Sequence, residues 1–143
     1  MRIGDILETK GTAVATIDGD ATVSEAVAEL ARHGIGALVV SADGAHIEGI
    51  VSERDIVRHL GREGRDLVDH AVRDIMSAPV HTVGPDDEVG SVMSTMTNER
   101  IRHLPVTSEG VLIGIVSIGD VVKHTIEQLQ LDRKLLEDYI TAR

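Results

Sequence analysis

The strongest constraint on this chain is an eleven-residue segment that occurs twice. Residues 49–59 read GIVSERDIVRH and residues 114–124 read GIVSIGDVVKH, so seven of the eleven positions are identical at an offset of 65. Upstream, Val14 corresponds to Val80 at an offset of 66, and the one-residue difference falls in the loop between the two matches. Shared order with small differences confined to loops indicates a tandem duplication, so both halves must adopt one fold.

Each copy has the hydrophobic pattern of a β-α-β-β-α unit. An extended run, 14–17 or 80–83, ends in a polar turn, and apolar residues then recur at helical spacing from Val23 and from Val89. Two apolar runs around a Gly-containing turn predict a hairpin, and Ser-x-x-Asp predicts the start of a second helix. The predicted hairpin strands are 35–40 with 47–51, and 101–106 with 111–116.

Neither half is large enough to cover its own sheet, so the two copies are expected to pack together. The predicted class is α/β of the mixed α+β kind, with two tandem repeats packed sheet to sheet in pseudo-two-fold symmetry, followed by a long C-terminal helix. We expect an apolar core between the repeats and a symmetric pair of clefts. The expected boundaries are repeat 1 at 2–62, a linker at 63–73, repeat 2 at 74–128 and the C-terminal helix extension at 129–143.

The C-terminal helix is predicted because residues 120–143 contain neither Gly nor Pro, while apolar residues form one helical stripe. At 1.5 Å per residue such a helix would reach about 36 Å, which is longer than one repeat can cover. It could pack along its own domain or complete a homodimer, and we favour the homodimer.

Composition excludes several classes of function. The chain carries 14 Lys and Arg against 24 Asp and Glu, a formal charge of -10, which argues against nucleic acid and anionic membrane surfaces as partners. It has no cysteine, so thiol catalysis and disulfides are excluded. No apolar run approaches the roughly 18 residues of a membrane span and no signal peptide is evident, so we expect a cytoplasmic protein.

The duplicated Ser-x-x-Asp motif has two interpretations. Ser52 with Asp55, and Ser117 with Asp120, could be capping boxes that only stabilise helix starts. Alternatively, the helix-start amides could bind a phosphate, and the carboxylate could accept both hydroxyls of a ribose. The occurrence of the motif in both copies favours the second interpretation.

The second repeat carries a basic strand that the first repeat lacks. Residues 100–105 read RIRHLP, whereas the equivalent residues 34–37 read GIGA. The basic residues could be solvated charges at a strand end or a phosphate clamp, since Arg binds phosphate oxygens with two parallel hydrogen bonds. We therefore expect two unequal clefts, with better phosphate binding in the second repeat. The first must use Lys10 or Arg54, or accept a ligand with different phosphate needs.

No catalytic arrangement is evident in the sequence. The seven histidines are dispersed, none lies in a metal-binding motif, and no nucleophile is placed beside a base. We therefore expect no enzyme activity, no metal and no catalytic cofactor. With no Phe, no Trp and a single Tyr, a site that binds a nucleobase must use aliphatic walls.

A β-α-β-β-α repeat that ends in Gly-x-x-Ser-x-x-Asp and is present twice resembles the CBS domain (cystathionine beta-synthase domain) pair, also called a Bateman module. The resemblance is carried by GIVSERD and GIVSIGD, by VATIDGDATVSEA and VHTVGPDDEV, and by HGIGALVV and RIRHLPV, and it spans roughly residues 2–130. The chain as a whole is similar to the small stand-alone bacterial CBS-pair proteins.

The resemblance implies a regulatory, signal-transduction module that binds adenine nucleotides in clefts between the repeats. The ligands expected from it are AMP first, then ADP, ATP, NAD(H) or S-adenosylmethionine, which would report energy or redox state. Binding would change the geometry between repeats and signal to an unknown effector protein. The alternative is a ligand-independent interaction scaffold that uses the C-terminal helix.

The resemblance also implies roles for individual residues. The ribose hydroxyls would be bound by the motif residues Asp55 and Asp120, supported by Ser52 and Ser117. Backbone groups of the first strand would read the adenine edge, at Val14, Ala15, Val80 and His81. Aliphatic side chains would wall the base, namely Ile35, Ile50, Ile101 and Ile115.

The phosphate contacts implied by the resemblance come from the middle strand. They would be Arg102 and His103 in the second repeat, and Lys10 matches a ligand-contacting position before the first strand. In the first repeat the equivalent middle-strand position is Gly36, which offers no charge, and Arg54 is the candidate substitute.

Overall fold

A computed structural model describes residues 1–142 of the chain, which contain five α-helices and five strands. In chain order they are α1 (Ile3–Lys10), β1 (Thr16–Ile17), α2 (Val23–His33), β2 (Ala37–Val40), β3 (Gly49–Ser52), α3 (Glu53–Glu63), α4 (Val89–Glu99), β4 (His103–Ser108), β5 (Val111–Ser117) and α5 (Ile118–Thr141). Two short 3-10 turns, Gly64–Asp69 and Val72–Asp74, connect the halves. The mixed α+β class is confirmed.

The two sheets are small and differ in their first strands. In the first repeat β1 runs parallel to β2, and β2 pairs antiparallel with β3. In the second repeat β4 and β5 pair, and the expected strand 80–83 is reduced to a bridge between Val83 and Val106. The expected strand 14–17 is likewise ordered as β1 only at its end. Both predictions were too long, because the preceding residues line clefts and pair with the sheet at few positions.

The duplication is visible in matched backbone hydrogen bonds. The amide of Ser41 donates to the carbonyl of Ile17 at 2.9 Å, and the equivalent amide of Thr107 donates to Val83 at 2.9 Å. The start of α3 is held to Gly36 by the Glu53 amide at 3.0 Å, and the start of α5 is held to Arg102 by the equivalent amide at 2.8 Å. The two halves therefore share one backbone plan.

Each repeat has its own apolar core, which is completed by the segment that leads into the other repeat. Helix α1, for which the sequence predicted no element, inserts Ile3, Ile6 and Leu7 into the core of α4, β4, β5 and α5. In return, Leu67, Val72 and Ile75, from the connection between the halves, pack against α2, β2 and β3. The expected single core between the repeats is thus replaced by two, because each helical layer covers the outer face of its own sheet.

Glycines at the start of β3 and before the end of β5 permit this exchange. A Cβ atom on Gly114 would lie 2.8 Å from Cδ2 of Leu7, and one on Gly49 would lie 2.5 Å from Sδ of Met76. Both neighbours belong to the leading segment of the other repeat. The Gly that opens each duplicated motif is therefore explained by close packing against that segment.

Helix α5 extends well past the second core. Of its 24 residues, Val121 is the one that is buried. The aliphatic side chains of its distal half are 50–65% exposed, including Leu131, Leu136 and Ile140. Packing along its own domain, the first of the two alternatives, therefore does not describe this half of the helix. No helix within residues 1–142 combines the length and the hydropathy that a membrane span needs.

Candidate functional site

Two clefts lie where the repeats meet, and each contains one copy of the duplicated motif. The Asp55 cleft has a volume of about 540 Å³ and is lined by Ser52, Arg54, Asp55, Ile50, Val80, His81, Ile101, Arg102 and His103, among others. The Asp120 cleft has a volume of about 580 Å³ and is lined by Lys10, Val14, Ala15, Ile35, Gly36, His103, Ile115, Ser117 and Asp120, among others. Gly36 lines both clefts. Both volumes lie within the roughly 300–1,000 Å³ range of small-molecule sites.

All the candidate ligand-binding residues line one or other cleft, but the grouping by repeat was wrong. The motif residue Asp55 of the first repeat shares its cleft with Arg102 and His103 of the second. Lys10, expected to serve the first repeat, instead lies in the cleft of Asp120. The reason is the exchange of leading segments, which brings each Ser-x-x-Asp helix start opposite the first strand of the other repeat.

Both copies of Ser-x-x-Asp form capping boxes. The Asp55 amide donates to Oγ of Ser52 at 3.3 Å while the Ser52 amide donates to Oδ2 of Asp55 at 2.9 Å. At the start of α5 the corresponding distances for Ser117 and Asp120 are 3.1 and 2.8 Å. The structural interpretation of the motif is thus confirmed. It leaves ligand binding open, because each cap uses Oδ2 of the carboxylate, and the Asp side chain still lines its cleft.

The two motif carboxylates have different neighbours. Oδ1 of Asp55 accepts a hydrogen bond from the Ser77 hydroxyl at 3.3 Å, which is an uncharged partner. Oδ2 of Asp120 lies 2.6 Å from Nζ of Lys10, which also donates to the Ile115 carbonyl at 2.8 Å. Partial burial alone would raise the pKa of Asp120, but the bonds from Lys10 and Ser117 outweigh it and hold that pKa below its ordinary value. The Asp120 cleft thus contains an internal ion pair.

His103 stands between the clefts and lines both of them. Its ring packs so closely on Gly36 that a Cβ there would lie 3.2 Å from Cε1. Burial lowers the pKa of His103, and the charge of Lys10 lowers it further, against the opposing effect of Glu53. The imidazole is therefore predominantly uncharged at neutral pH.

Several lining residues were missed as site residues by the sequence analysis. Arg58 lies one helical turn after Arg54 on α3, so helical spacing could have identified it. Arg100 lies two residues before Arg102 and was recognised only as part of the basic strand. Ser77 could not have been found, because no sequence pattern connects it with Asp55. Within residues 1–142, no group of three or more His, Asp or Glu side chains is arranged to hold a metal ion.

The family model of the CBS domain matches this chain twice, at residues 3–62 and 72–127. The chain belongs to the CBS domain family. The CBS domain-containing protein CBSX3 of Arabidopsis thaliana, a mitochondrial protein, is 37% identical over 96% of this chain and 71% of its own length. Both this relative and the family model describe CBS domain proteins. Neither indicates a catalytic family.

Solved structures of CBS domain proteins have the same fold. The CBS-domain containing protein ATU1752 from Agrobacterium tumefaciens superposes with a TM-score of 0.84 at 38% identity, over 87% of this chain and 99% of that chain. The CBS domain protein PAE2072 from Pyrobaculum aerophilum, solved in complex with AMP, has a TM-score of 0.74 at 29% identity, over 84% and 89% of the two chains. The predicted resemblance to stand-alone CBS pairs is confirmed.

Proposed function

We propose that this CBS pair is a regulatory module without catalytic activity that binds adenine nucleotides in its two clefts. AMP is the first ligand to test, followed by ADP, ATP and NAD(H), which would make the protein a sensor of energy or redox state. Binding would shift the angle between the repeats and so signal to a partner protein. A ligand can do this only by its difference in affinity for the two arrangements.

One observation carries this proposal: each cleft is lined by a helix-start carboxylate together with backbone groups that have no hydrogen-bond partner in the described part of the chain. Within residues 1–142, the backbone groups of Val80 and His81 make no hydrogen bond, and they face Asp55 across the cleft lining. In the Asp120 cleft the backbone groups of Val14 likewise make no hydrogen bond to any residue that the structure describes, whereas the carbonyl of Ala15 accepts one from the Val39 amide at 3.2 Å. Unpaired amides and carbonyls can read the polar edge of adenine, and the carboxylate can accept the ribose hydroxyls.

The walls of the clefts suit a purine ring without aromatic stacking. Ile50 and Ile101 line the Asp55 cleft, and Ile35 and Ile115 line the Asp120 cleft. These positions are equivalent in the two repeats, so each cleft offers a pair of β-branched side chains to the faces of the base. The AMP complex of the related Pyrobaculum protein supports AMP as the first ligand to test.

The test is a thermal-shift panel with AMP, ADP, ATP, NAD, NADH, S-adenosylmethionine and GMP, followed by calorimetry. A ligand at 100 times its dissociation constant should add about 2.7 kcal/mol to the free energy of unfolding. Stabilisation by adenine ligands, lost in the double variant Asp55→Ala, Asp120→Ala, is the expected result. Glu25→Ala is the matched control, because Glu25 closes the same kind of capping box on α2 but lines neither cleft. No shift with any ligand would contradict the proposal.

The alternative function, a ligand-independent scaffold, is favoured by the exposed apolar half of α5. We also propose that this half of the helix completes a homodimer. Light scattering tests the dimer: Leu136→Lys should halve the mass, whereas Lys134→Ala, on the same helix, should not change it. If the scaffold function is correct, the double Asp variant should keep all partner binding.

A cytoplasmic location remains part of the proposal and is testable by cell fractionation.

A further inference from the structure

The strand side of the Asp55 cleft is strongly basic, and its counterpart is not. Arg100 and Arg102 line the Asp55 cleft, and the equivalent residues in the other repeat, Gly34 and Gly36, line the Asp120 cleft. The two clefts share a backbone plan, so the difference is one of side chains alone. On the strand side, the Asp55 cleft therefore offers two guanidinium groups to a ligand, and the Asp120 cleft offers none.

The helix side repeats the difference. Arg54 and Arg58, one turn apart on α3, line the Asp55 cleft. The equivalent residues of α5 are Gly119 and Lys123, and neither lines the Asp120 cleft. Four arginines therefore converge on one cleft of a chain that has 14 Lys and Arg in total and a formal charge of -10.

These four guanidinium groups are uncommitted. Within the part of the chain that the structure describes, none of them makes a hydrogen bond or an ion pair, whereas Arg32, Arg73 and Arg133 each bind a carboxylate. Arg binds phosphate oxygens through two parallel hydrogen bonds, and its charge persists at any physiological pH. The cleft also contains the carboxylates of Glu53, Asp55 and Glu99, so it is a mixed-charge site and not a simple cationic surface.

The backbone of Arg100 adds an independent indication. It caps α4 in the left-handed conformation, with φ 56° and ψ 42°, and Gly34 caps α2 in nearly the same conformation. This conformation is unfavourable for residues that carry a Cβ, and glycine adopts it without steric conflict. The second repeat therefore retains an arginine where its own fold prefers glycine, which points to a use for the side chain in the cleft.

The Asp120 cleft, by contrast, has little permanent positive charge. Among its lining residues within 1–142, Lys10 is the one Lys or Arg, and its ammonium group already binds Asp120 at 2.6 Å. If the ribose of a ligand hydrogen-bonds to the Asp120 carboxylate in place of Lys10, the ammonium group of Lys10 becomes free to pair with one phosphate group. The cleft provides no further permanent positive charge for a second phosphate or a third.

We infer that the Asp55 cleft binds the polyphosphate chain of a nucleoside diphosphate or triphosphate, while the Asp120 cleft takes a ligand with at most one phosphate. This inference rests on the proposed function, because it uses the same base and ribose contacts in both clefts. The protein would then compare two classes of adenine ligand at once, a polyphosphate in one cleft and a monophosphate or nucleoside in the other.

The test is calorimetry with adenosine, AMP, ADP and ATP in magnesium-free buffer, on full-length variants that retain one cleft. In Asp120→Ala, the affinity should increase along that series, with ATP at least tenfold tighter than AMP. In Asp55→Ala, ATP should bind no more tightly than AMP. Because salt screens the attraction between the arginines and the phosphates, the ATP affinity of Asp120→Ala should also fall more steeply with salt than its AMP affinity.

A matched variant installs the residues of the first repeat. Arg100→Gly, Arg102→Gly in the Asp120→Ala background should reduce the preference for ATP over AMP, with Arg54 and Arg58 still in the cleft, and should weaken adenosine binding less than ATP binding. Arg62→Ala, Arg65→Ala changes the net charge equally outside both clefts and should keep the preference. If the double glycine variant does not fold, as judged by thermal unfolding, Arg102→Gly alone should weaken ATP more than AMP.

The outcomes separate the two proposals. Binding of adenosine and AMP without a preference for ATP in Asp120→Ala would overturn the inference and leave the proposed function standing. A preference that is undiminished in the double glycine variant would also overturn it. Failure of the wild-type protein to bind any of the four ligands would overturn the inference, and the absence of any shift with NAD, NADH and S-adenosylmethionine as well would overturn both proposals together.

Discussion

Nζ of Lys10 lies 2.6 Å from Oδ2 of Asp120 and so joins the end of α1 to the first turn of α5. The two residues are 110 positions apart in sequence, and the contact exists because α1 packs in the core of the second repeat. The corresponding carboxylate, Asp55, has the uncharged Ser77 hydroxyl as its partner. A nearly symmetric fold thus gives its two equivalent carboxylates different electrostatic surroundings.

Lys10→Ala should therefore lower stability in a pH-dependent way. Because the folded pKa of Asp120 is depressed, its contribution is present above the unfolded value of about 3.9 and is lost as pH falls through the lower folded value. Both side chains are partly exposed, so the expected cost at pH 7 is about 0.2–1 kcal/mol. Urea unfolding at pH 7 and at pH 3 or below measures it.

The difference between wild type and Lys10→Ala should shrink at the acid end, as Asp120 becomes protonated in both proteins. Lys134→Ala, on the exposed part of α5, is the control and should have no effect at either pH. A difference of the same size at both pH values would show that Lys10 acts through packing of its alkyl chain and not through its charge.

The sequence was sufficient to predict most of the local structure of this protein, although it showed no sign of α1 and made the first strand of each repeat too long. Helical spacing from Val23 and Val89 located α2 and α4, and Ser-x-x-Asp located the starts of α3 and α5 within a residue. These features depend on interactions between residues three or four positions apart, which a single sequence displays directly. The duplication then allowed each element to be checked against its equivalent.

The exchange of leading segments could not be predicted, and its consequence for the site was missed with it. Leu7 and Met76 occupy equivalent positions, so the sequence pattern is satisfied whether each packs on its own repeat or on the other. Only the path of the chain through residues 63–73 decides between these arrangements. For the same reason, the residues that line the clefts were predicted as a set, whereas their division between clefts was not.

Substitution at Gly114 tests the exchange directly. In Gly114→Ala, the new Cβ would lie 2.8 Å from Cδ2 of the buried Leu7, so either the Leu7 side chain or the elements α1 and β5 must move. Overpacking of this kind should reduce the free energy of unfolding by about 1–3 kcal/mol in chemical denaturation.

Gly90→Ala provides the matched control in the same repeat. Gly90 lies in α4, and a Cβ there would meet no atom within 4 Å, so this variant should gain roughly 0.5–1 kcal/mol. If Gly114→Ala reduces the free energy of unfolding less in a Leu7→Ala background than in wild type, the clash with Leu7 is the cause. Equal effects at Gly114 and Gly90 would contradict packing of α1 on β5.

The caps at the cleft helices should contribute to stability independently of any ligand. Ser52→Ala and Ser117→Ala each remove the oxygen that accepts a hydrogen bond from the amide of the motif Asp. Each should reduce the free energy of unfolding by about 0.5–2 kcal/mol. Thermal unfolding of the ligand-free protein measures this loss. Ser94→Ala, in the exposed middle of α4, should change stability little. A loss of ligand binding without any loss of stability would contradict the capping role.

His103→Ala should change the pH dependence of phosphate-ligand binding, because His103 lines both clefts. The groups whose charges act on its ring are Lys10, Arg102, Glu53 and Asp120, and burial holds its pKa below the ordinary value. A bound phosphate favours the imidazolium form, so the contribution of His103 should be greatest at acid pH. It should fall as pH rises from the free-state pKa to the higher value in the complex.

The measurement is the AMP affinity of wild type divided by that of His103→Ala, by calorimetry from pH 5.5 to 8. Taking the ratio removes the titration of the phosphate itself, whose second pKa is about 6. Alanine is the matched substitution, since Ala37 holds the equivalent position in the first repeat. The ratio should be about two- to tenfold at pH 5.5, equivalent to one hydrogen bond of about 0.5–1.5 kcal/mol, and should approach one at pH 8. His70→Ala, outside both clefts, should give a ratio of one throughout, and a flat ratio for His103→Ala would exclude His103 from the phosphate contacts.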